Sequence, residues 1–454
     1  MNLQRNHYLI CSAGLVLAAM CASTIVTSFA EAQQTSVDTL FVAWARAHGS
    51  HITSDAAGCK DLDALLPEVE NARIIALGEL IHDAHELHLL RNRVVRCLAT
   101  SGEITAVALE SGLADMAPLY EALLRPPQSV AALTRERISY GWGGLPEVQA
   151  LTEWLRRHNA TKSFDRRIRL YGIDVTGADG SGSLNRARRS VDELLKYLLK
   201  VDAPVARRLA IKFKPYLQRF SEATYASLSP SARDSLSRLL DSAEVAVQSF
   251  PERNGDRQAH ARAWAARCVV AARQVMAYLE LKTRLGRQPS LSPEFPRLVQ
   301  MRDSMMADNL LWALGQEGGS GRILVLAHNA HVFAEVGPTT LRSPLQYTTL
   351  GKHLRRALDS SYVVIGTDAR ALGYYLTEQL PSPAQHLASM FGVLGHGWLM
   401  LDLRAAAQDS DLASWLRRPR RVRSQWGFQW IRPAVAADMI IIADSLSPTS
   451  GEIR

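Results

Sequence analysis

Short and almost continuously apolar runs recur along this chain, and each ends at a turn residue or a carboxylate. Seven of them span residues 73–77, 104–109, 168–172, 323–327, 362–366, 398–403 and 439–443. Runs of this length that are rich in leucine or β-branched residues are typical of strands buried on both faces. Amphipathic helical stretches separate several of them, at 84–100, 114–124, 146–159 and 345–357. This alternation predicts an α/β fold with a mostly parallel central sheet flanked by helices.

The pattern changes between residues 177 and 318, where no convincing strand run occurs. Helical periodicity continues there over 184–200, 206–225, 231–249, 259–285 and 297–314, with a glycine-rich joint at 179–182. Ser229-Pro230 and Ser292-Pro293 are typical helix starts. We therefore expect 177–318 to form an inserted helical bundle that shapes the cleft, and 33–176 together with 319–454 to form the α/β catalytic core.

The first 32 residues have the pattern of an export leader. Arg5 supplies a positive start, an apolar stretch spans 9–22, and Ala30-Glu31-Ala32 has the small residues of a cleavage site. We expect a periplasmic or secreted protein with no stable membrane anchor after the leader is removed. The alternative is that this segment is retained as an N-terminal anchor helix.

Cysteine usage follows from that expectation, because only Cys59, Cys97 and Cys268 remain after residue 32. An oxidising compartment permits one pair. Cys59 precedes the first predicted strand and Cys97 lies near the end of the next helix, so a bridge between them would stabilise the fold by roughly 3 kcal/mol. We predict this disulfide, with Cys268 free and buried in a helix. The alternative is three inert buried thiols.

Composition narrows the class of protein. A chain of 454 residues that is 47% hydrophobic is neither disordered nor collagen-like, and only one apolar window approaches membrane length. The net charge is +8, but the basic residues are mostly arginines scattered over the chain. One basic run at 417–423, followed by Trp426 and Trp430, resembles a nucleic-acid patch. We interpret it as a solvated loop before a closing strand, and expect no nucleic-acid partner.

Polar residues follow four of the predicted strands at their carboxyl ends. Since the carboxyl ends of parallel strands share one edge of a sheet, we expect these residues to converge in one crevice. They are Glu79 and His82 after the first run, Glu110 after the second, Asp174 after the third, and His328, Asn329 and His331 after the fourth.

Such a set suits the activation of water by an imidazole. We expect His82 to accept the proton, with Glu79 or Glu110 holding its tautomer. Arg91 would pair with a carboxylate or bind the developing oxyanion, and His328 would protonate the leaving alkoxide. The chain has no G-x-S-x-G elbow, H-E-x-x-H motif or phosphate-binding glycine loop, and in His85-Glu86-Leu87-His88 the histidines are three apart, not four.

Short motifs occur in a fixed order over 62–364, most of the chain after the leader. They are Leu77-Gly78-Glu79-x-x-His82, His85-Glu86, Arg91-Asn92-Arg93, Val107-Ala108-Leu109-Glu110, Tyr140-Gly141-Trp142, Pro146-Glu147, Tyr171-Gly172-Ile173-Asp174, Arg302-Asp303-x-x-Met306-Ala307-x-Asn309 and Ala327-His328-Asn329-Ala330-His331. In order and spacing, these motifs resemble the erythromycin esterase family. The resemblance implies an α/β core with a helical bundle, and a small-molecule ester or lactone substrate.

The resemblance also implies a mechanism and the residues for it. Water attacks a macrolide lactone or another ester without a covalent enzyme intermediate and without a cofactor, and a role in antibiotic resistance is implied with it. His82 matches the family's general base. Its partners in the cleft are Glu79, Arg91, Glu110 and His328, and the substrate-binding positions are His331, Arg302, Trp142 and Asp174.

This chain departs from the family pattern beside the base. Ile81 stands where the family usually has serine or threonine, and Asp83 where it has glycine. Two alternatives stay open. One is a haem- or iron-binding protein of the same fold. The other is a metal-dependent hydrolase or peptidase, in which Glu79, His82, Glu110, His328 and His331 would ligate one ion.

Overall fold

The computed structural model describes most of the chain after the leader. The described residues are 38–55, 57–177, 188–221, 224–249, 256–286, 288–338, 347–373, 385–392, 397–425 and 427–450. The predicted leader at 1–32 and the glycine-rich joint at 179–182 lie outside them. Among the described residues, no helix combines the length and apolar character needed to cross a membrane.

All seven predicted apolar runs form strands of one central sheet. The strands among the described residues are β1 (Ser50–Ile52), β2 (Ile74–Glu79), β3 (Ala106–Gly112), β4 (Arg169–Asp174), β5 (Ile323–His328), β6 (Tyr362–Leu372), β7 (Trp398–Asp402), β8 (Arg420–Ser424), β9 (Gly427–Ile431) and β10 (Met439–Leu446). Eight of them are ordered β1-β7-β10-β6-β2-β5-β3-β4. The strands from β10 to β4 run parallel. At the other edge, β7 pairs antiparallel with β10, and β1 pairs antiparallel with β7. The predicted fold class is confirmed.

The basic run is not the solvated loop that we expected. It contains β8, which pairs with β9 in an antiparallel hairpin. Arg420 and Arg423 are buried. Their guanidinium groups lie over the rings of Trp415 and Phe428, at 4.2 and 5.0 Å from the ring centroids. Aromatic faces and backbone carbonyls therefore take the place of solvent around these cations.

Helices cover both faces of the sheet. They are α1 (38–48), α2 (Leu66–Val69), α3 (His85–Ser101), α4 (Leu113–Leu124), α5 (Ala131–Arg137), α6 (Pro146–Ala160), α7 (Arg189–Val201), α8 (Ala203–Leu217), α9 (Pro230–Gln248), α10 (Asp256–Leu285), α11 (Phe295–Gln316), α12 (Asn329–Val332), α13 (Leu350–Leu358), α14 (Leu403–Ala406), α15 (Ser410–Leu416) and α16 (Pro433–Ala436).

Several helices differ from their predicted bounds. The helix expected at 345–357 begins only at Leu350, because the Thr349 hydroxyl accepts the N–H of Lys352 (3.0 Å) and caps the first turn. The helix expected at 206–225 ends at Leu217. Phe220 and Tyr225, which extended its apolar periodicity, are buried but lie outside the helix, between α8 and α9.

Side chains of each strand alternate between two apolar layers. Ile74 and Ala76 of β2 join one layer, and Ile75 and Leu77 join the other. Between β4 and β5 the described residues form helices α7 to α11, whose inner faces make a third cluster. This layered packing fixes the strands, and so the polar residues at their carboxyl ends.

The predicted disulfide is confirmed. Cys59 and Cys97 are bonded, with their Cα atoms 5.7 Å apart. The bridge ties the last turns of α3 to the segment before β2. Cys268 is free and buried in α10, as expected, and burial raises the pKa of its thiol.

Candidate active site

The loop between β2 and α3 carries the central imidazole of the site. His82 Nδ1 lies 2.8 Å from Oε1 of Glu79, the last residue of β2. Arg91, on the inward face of α3, donates from Nη1 to the second oxygen, Oε2. Glu79 thus bridges the imidazole and the guanidinium, and it is the carboxylate that orients His82. Of the two roles expected for Arg91, the structure shows the pairing with a carboxylate.

The charge on Glu79 fixes the tautomer of His82. Burial alone would raise the pKa of Glu79, but the Arg91 guanidinium and the His82 hydrogen bond bring it down to about 2. An ionised carboxylate only accepts hydrogen bonds, so His82 donates from Nδ1–H and keeps its lone pair on Nε2. The side chain of His82 is 22% exposed. No described residue donates a hydrogen bond to Nε2.

The backbone of His82 is held by His88, to which the sequence analysis assigned no role in the site. His88 Nε2–H donates to the carbonyl oxygen of His82 (2.7 Å). Burial and the neighbouring Arg91 lower the pKa of His88 to about 4, so this imidazole is neutral. His88 lies three residues before Arg91 and therefore on the same face of α3, and this spacing could have indicated that it belongs to the site.

His328 lies beside His82 at the end of β5, with ring centroids 4.9 Å apart. Its Nε2–H donates to the carbonyl oxygen of Leu80 (3.0 Å), and its Nδ1 accepts the N–H of Ala330 (3.1 Å). Burial and the neighbouring His82 lower the pKa of His328 to about 3. Both ring nitrogens are therefore used, and this arrangement supports the loop that carries His82.

A second charged group surrounds Arg302 of α11. Its guanidinium donates to Asp174 Oδ1 and Oδ2 at 2.8 and 2.7 Å, to Glu110 Oε1 at 2.8 Å and to the Tyr140 hydroxyl at 2.8 Å. Tyr140 in turn donates to Asp174 Oδ2 (2.6 Å). Tyr140 adopts a φ of 61°, which is uncommon for a residue other than glycine. The local fold holds its hydroxyl at this position.

His331 completes the second group. Its Nδ1 lies 2.6 Å from Asp303 Oδ1, and its Nε2 lies 3.2 Å from Glu110 Oε1 and 3.1 Å from Arg302 Nη1. Although burial opposes it, the two carboxylates raise the pKa of His331 to about 10. Glu110 also accepts the N–H of His328 (2.9 Å) through Oε2. Glu110 consequently links the two groups and makes its contacts with Arg302, His331 and His328.

The predicted site residues therefore lie along one edge of the sheet. The His82 group comprises Glu79, His82, Arg91 and His328, and the Arg302 group comprises Glu110, Asp174, Arg302 and His331. Trp142 is half-buried between the groups. Its ring lies 4.5 Å from that of His82 and 4.6 Å from that of Tyr140. The aromatic side chain thus forms part of the surface beside the imidazole.

Asn329 is a structural member of this edge. Its Nδ2 donates to the carbonyl oxygen of Thr367 (2.7 Å), and its Oδ1 accepts the N–H of the same residue (3.3 Å). A Cβ atom at position 78 would collide with the Asn329 amide. Gly78, next to Glu79 in the first motif, allows this side chain to cross β2 and reach β6.

The two departures from the family pattern have different surroundings. Ile81 is buried with the apolar residues of the sheet. Asp83 is partly buried, and burial raises the pKa of its carboxyl group. The backbone oxygen of Asp83 accepts the N–H of Thr449 (2.8 Å), and His85 N–H donates to the carbonyl oxygen of Ser447 (2.8 Å). The segment after β10 therefore lies against the loop that carries His82, which the sequence analysis did not foresee.

His328 and His331 are poor candidates for metal ligands in the conformation observed. His328 uses both ring nitrogens in hydrogen bonds within the protein, and His331 faces a carboxylate from each nitrogen. A ligating imidazole needs a free nitrogen lone pair. Within the described part of the chain, no group of three or more His, Cys, Asp or Glu side chains is arranged to hold a metal ion.

The fold and the site define the class of protein first. It is an α/β protein with a polar cluster at the carboxyl edge of a mostly parallel sheet, where proteins of this class bind small molecules. The family model described as Erythromycin esterase matches residues 101–444, well over half of the chain. The chain therefore belongs to the erythromycin esterase family, which supports ester hydrolysis as its class of reaction. The match includes Glu110, Arg302 and His328 but begins after Glu79 and His82.

Individual relatives are distant in sequence. The Escherichia coli protein described as erythromycin esterase type II is 21% identical over 319 residues, which cover 67% of this chain and 71% of the relative. A Bacillus cereus protein of known crystal structure superposes with a TM-score of 0.74 at 20% identity, covering 91% of this chain and 99% of that one. A mutant of the erythromycin esterase EreC in its open conformation gives 0.62 at 17% identity, covering 87% and 96%. At these identities the structural likeness shows the fold.

Proposed function

We propose that this protein is an exported hydrolase of a carboxylic ester or lactone in which His82 activates water. The observation that carries the proposal is the Glu79–His82 pair. A buried, ionised carboxylate fixes Nδ1–H of a partly exposed imidazole, so that Nε2 is left as the basic nitrogen.

The reaction needs one proton transfer in each direction. Nε2 takes a proton from water as the oxygen attacks the carbonyl carbon, and the tetrahedral oxyanion forms. Glu79 stabilises the resulting imidazolium. When the intermediate collapses, Nε2–H protonates the leaving alkoxide, so that acid and alcohol are released and the neutral imidazole is restored. No covalent enzyme intermediate is required.

The second group is assigned to binding and charge stabilisation. Arg91, Arg302 and His331 all bind carboxylates within the protein, and we assign charge stabilisation of a developing oxyanion to Arg302 and His331. Both lie in the group joined to the His82 group through Glu110 and His328. Trp142 and Tyr140 supply an apolar surface for the body of a small ester.

Two further features bear on location and substrate. The disulfide between Cys59 and Cys97 agrees with folding in an oxidising compartment, as the leader-like start would bring about. Because of the family membership, macrolide lactones are one substrate class to test. Their hydrolysis would give antibiotic resistance, which is part of the same proposal. Ile81 and Asp83 alter the surroundings of the base, so simple aryl esters belong in the same screen.

The test is a hydrolysis screen of macrolides and aryl esters with the wild type, His82→Ala and His48→Ala. His48 is an exposed histidine at the end of α1 and serves as the matched control. We expect His82→Ala to lose roughly 10²–10⁴-fold in kcat, the range for removal of a general base, and His48→Ala to keep full activity. A chelator is added to half of the reactions and should leave the rate unchanged. Full turnover by folded His82→Ala would refute the proposal.

A further inference from the structure

The hairpin of β8 and β9 reaches the loop that carries His82. Gln425 follows Ser424 at the end of β8, and its side-chain oxygen Oε1 accepts the backbone N–H of His82 at 3.0 Å. β9 then begins at Gly427, whose φ of 110° favours glycine and lets the chain reverse closely. Neither strand of this hairpin belongs to the central sheet.

The turn end of the hairpin is fixed to the carboxyl end of β6. The N–H of Arg423 donates to Asp368 Oδ1 (2.9 Å), and its guanidinium donates to the carbonyl oxygens of Ala369 (2.9 Å) and Arg370 (2.8 Å). Asp368 also accepts the N–H groups of Ala369 (2.9 Å) and Ala388 (3.0 Å). The buried Asp368 carboxylate thus holds together the backbone segments that carry Ala369, Ala388 and Arg423. Arg423 lies two residues before Gln425 in the chain.

His82 is consequently held at three points by three different elements. Glu79 of β2 holds the ring, His88 of α3 holds the carbonyl oxygen, and Gln425 of the hairpin holds the N–H. Of these three hydrogen bonds, the one to Gln425 comes from outside the connection between β2 and α3. It fixes where the backbone of His82 lies relative to the rest of the carboxyl edge.

From this geometry we infer that Gln425 is a positioning residue for the reaction, acting through the backbone of His82. This inference rests on the proposed role of His82 as the base. Without the Oε1 acceptor the N–H of His82 has to find another partner, and the loop shifts with it. A misplacement of about 1 Å at a reacting group costs of order 100-fold in rate. The effect falls on kcat, because Gln425 binds the loop and not the substrate.

Three variants separate this role from a general structural one. Gln425→Ala removes the acceptor, whereas Gln425→Glu keeps a side-chain oxygen at the same reach. Gln408→Ala replaces an exposed glutamine next to α14 and is the matched control. We expect Gln425→Ala to lower kcat by about 10- to 100-fold with little change in KM. We expect Gln425→Glu to recover most of the loss and Gln408→Ala to match the wild type.

A second measurement does not depend on turnover. In protein labelled with ¹⁵N-histidine, the amide signal of His82 is assigned by its absence in His82→Ala, and its exchange with deuterium is followed. Exchange should accelerate in Gln425→Ala and stay slow in Gln425→Glu. Wild-type exchange together with wild-type kcat in Gln425→Ala would overturn the inference. If His82→Ala retains turnover, the proposed function fails, and the exchange rates still decide whether Gln425 holds the loop.

Discussion

Replacing Glu79 by glutamine tests how the site sets the tautomer of His82. The new side chain keeps its size but has one oxygen and one NH₂ group. Arg91 donates to the position of Oε2, and a guanidinium cannot accept a hydrogen bond, so the amide oxygen must face Arg91. The NH₂ group then faces His82 Nδ1. It donates to that nitrogen and moves the ring proton to Nε2, where the lone pair was needed.

The expected loss of activity is large. A carboxylate-to-amide change that imposes the wrong tautomer in a catalytic triad lowers kcat by about 10⁴-fold, and we expect a loss of about 10³–10⁴-fold here. The change also removes the charge that pairs with Arg91. The fall of the Glu79 pKa from 4.5 to about 2 corresponds to a contribution of ~3 kcal/mol to folding. This contribution is present above pH 4.5 and is lost as the pH falls toward about 2.

A double variant makes the prediction sharper. In Glu79→Gln with Arg91→Met, nothing forces the amide oxygen away from His82, so the amide can turn and accept Nδ1–H. We expect the double variant to exceed Glu79→Gln in kcat by about tenfold, worth ~1.4 kcal/mol. Steady-state kinetics on the best ester from the screen, with circular dichroism to check folding, measures both. A Glu79→Gln enzyme within tenfold of wild type, or a double variant showing the product of the two single losses, would refute the reasoning.

Three further changes probe other parts of the molecule. Joint replacement of Cys59 and Cys97 by serine should lower the free energy of unfolding by about 3–4 kcal/mol, measured by urea denaturation; a loss below about 1 kcal/mol would contradict the entropic account. The raised pKa of His331 means that its contribution to stability is full below pH 6.5 and fades as the pH rises through about 10. The wild-type melting temperature should therefore fall more steeply in alkali than that of His331→Gln, and parallel curves would argue against a charged His331. His88→Ala should lower kcat about tenfold, while His88→Gln, which keeps an N–H donor, should lose less; equal losses would show that the hydrogen bond to His82 is not the cause.

The strands could be predicted from the sequence because a strand that is buried on both faces consists almost entirely of apolar residues. A run such as 323–327 has to be apolar wherever helices cover a sheet. The polar residues that follow the strands could be placed together for a similar reason, since parallel strands share one carboxyl edge. The bond between Cys59 and Cys97 could be predicted because both cysteines lie in or next to elements that the hydrophobic pattern had already located.

The hairpin of β8 and β9 could not be predicted from sequence patterns. The pattern indicated that Arg420 and Arg423 are solvated, and their burial depends on carbonyl groups and aromatic rings that only the folded chain brings to them. The same limit applied to Gln425, which binds the backbone N–H of His82 from 343 residues further along the chain.

The sequence by itself determined the fold class, the disulfide and the set of polar residues at one edge of the sheet, because periodicity and strand polarity are properties of the chain. The tertiary structure decided which carboxylate serves which histidine. Glu79 and Glu110 are alike as residue types, but only Glu79 lies within hydrogen-bonding distance of His82 Nδ1, whereas Glu110 binds Arg302 and His331. Such choices turn on distances of one or two ångströms, which follow from the packing of β2, β3, β5 and α11 and from nothing in their separate sequences.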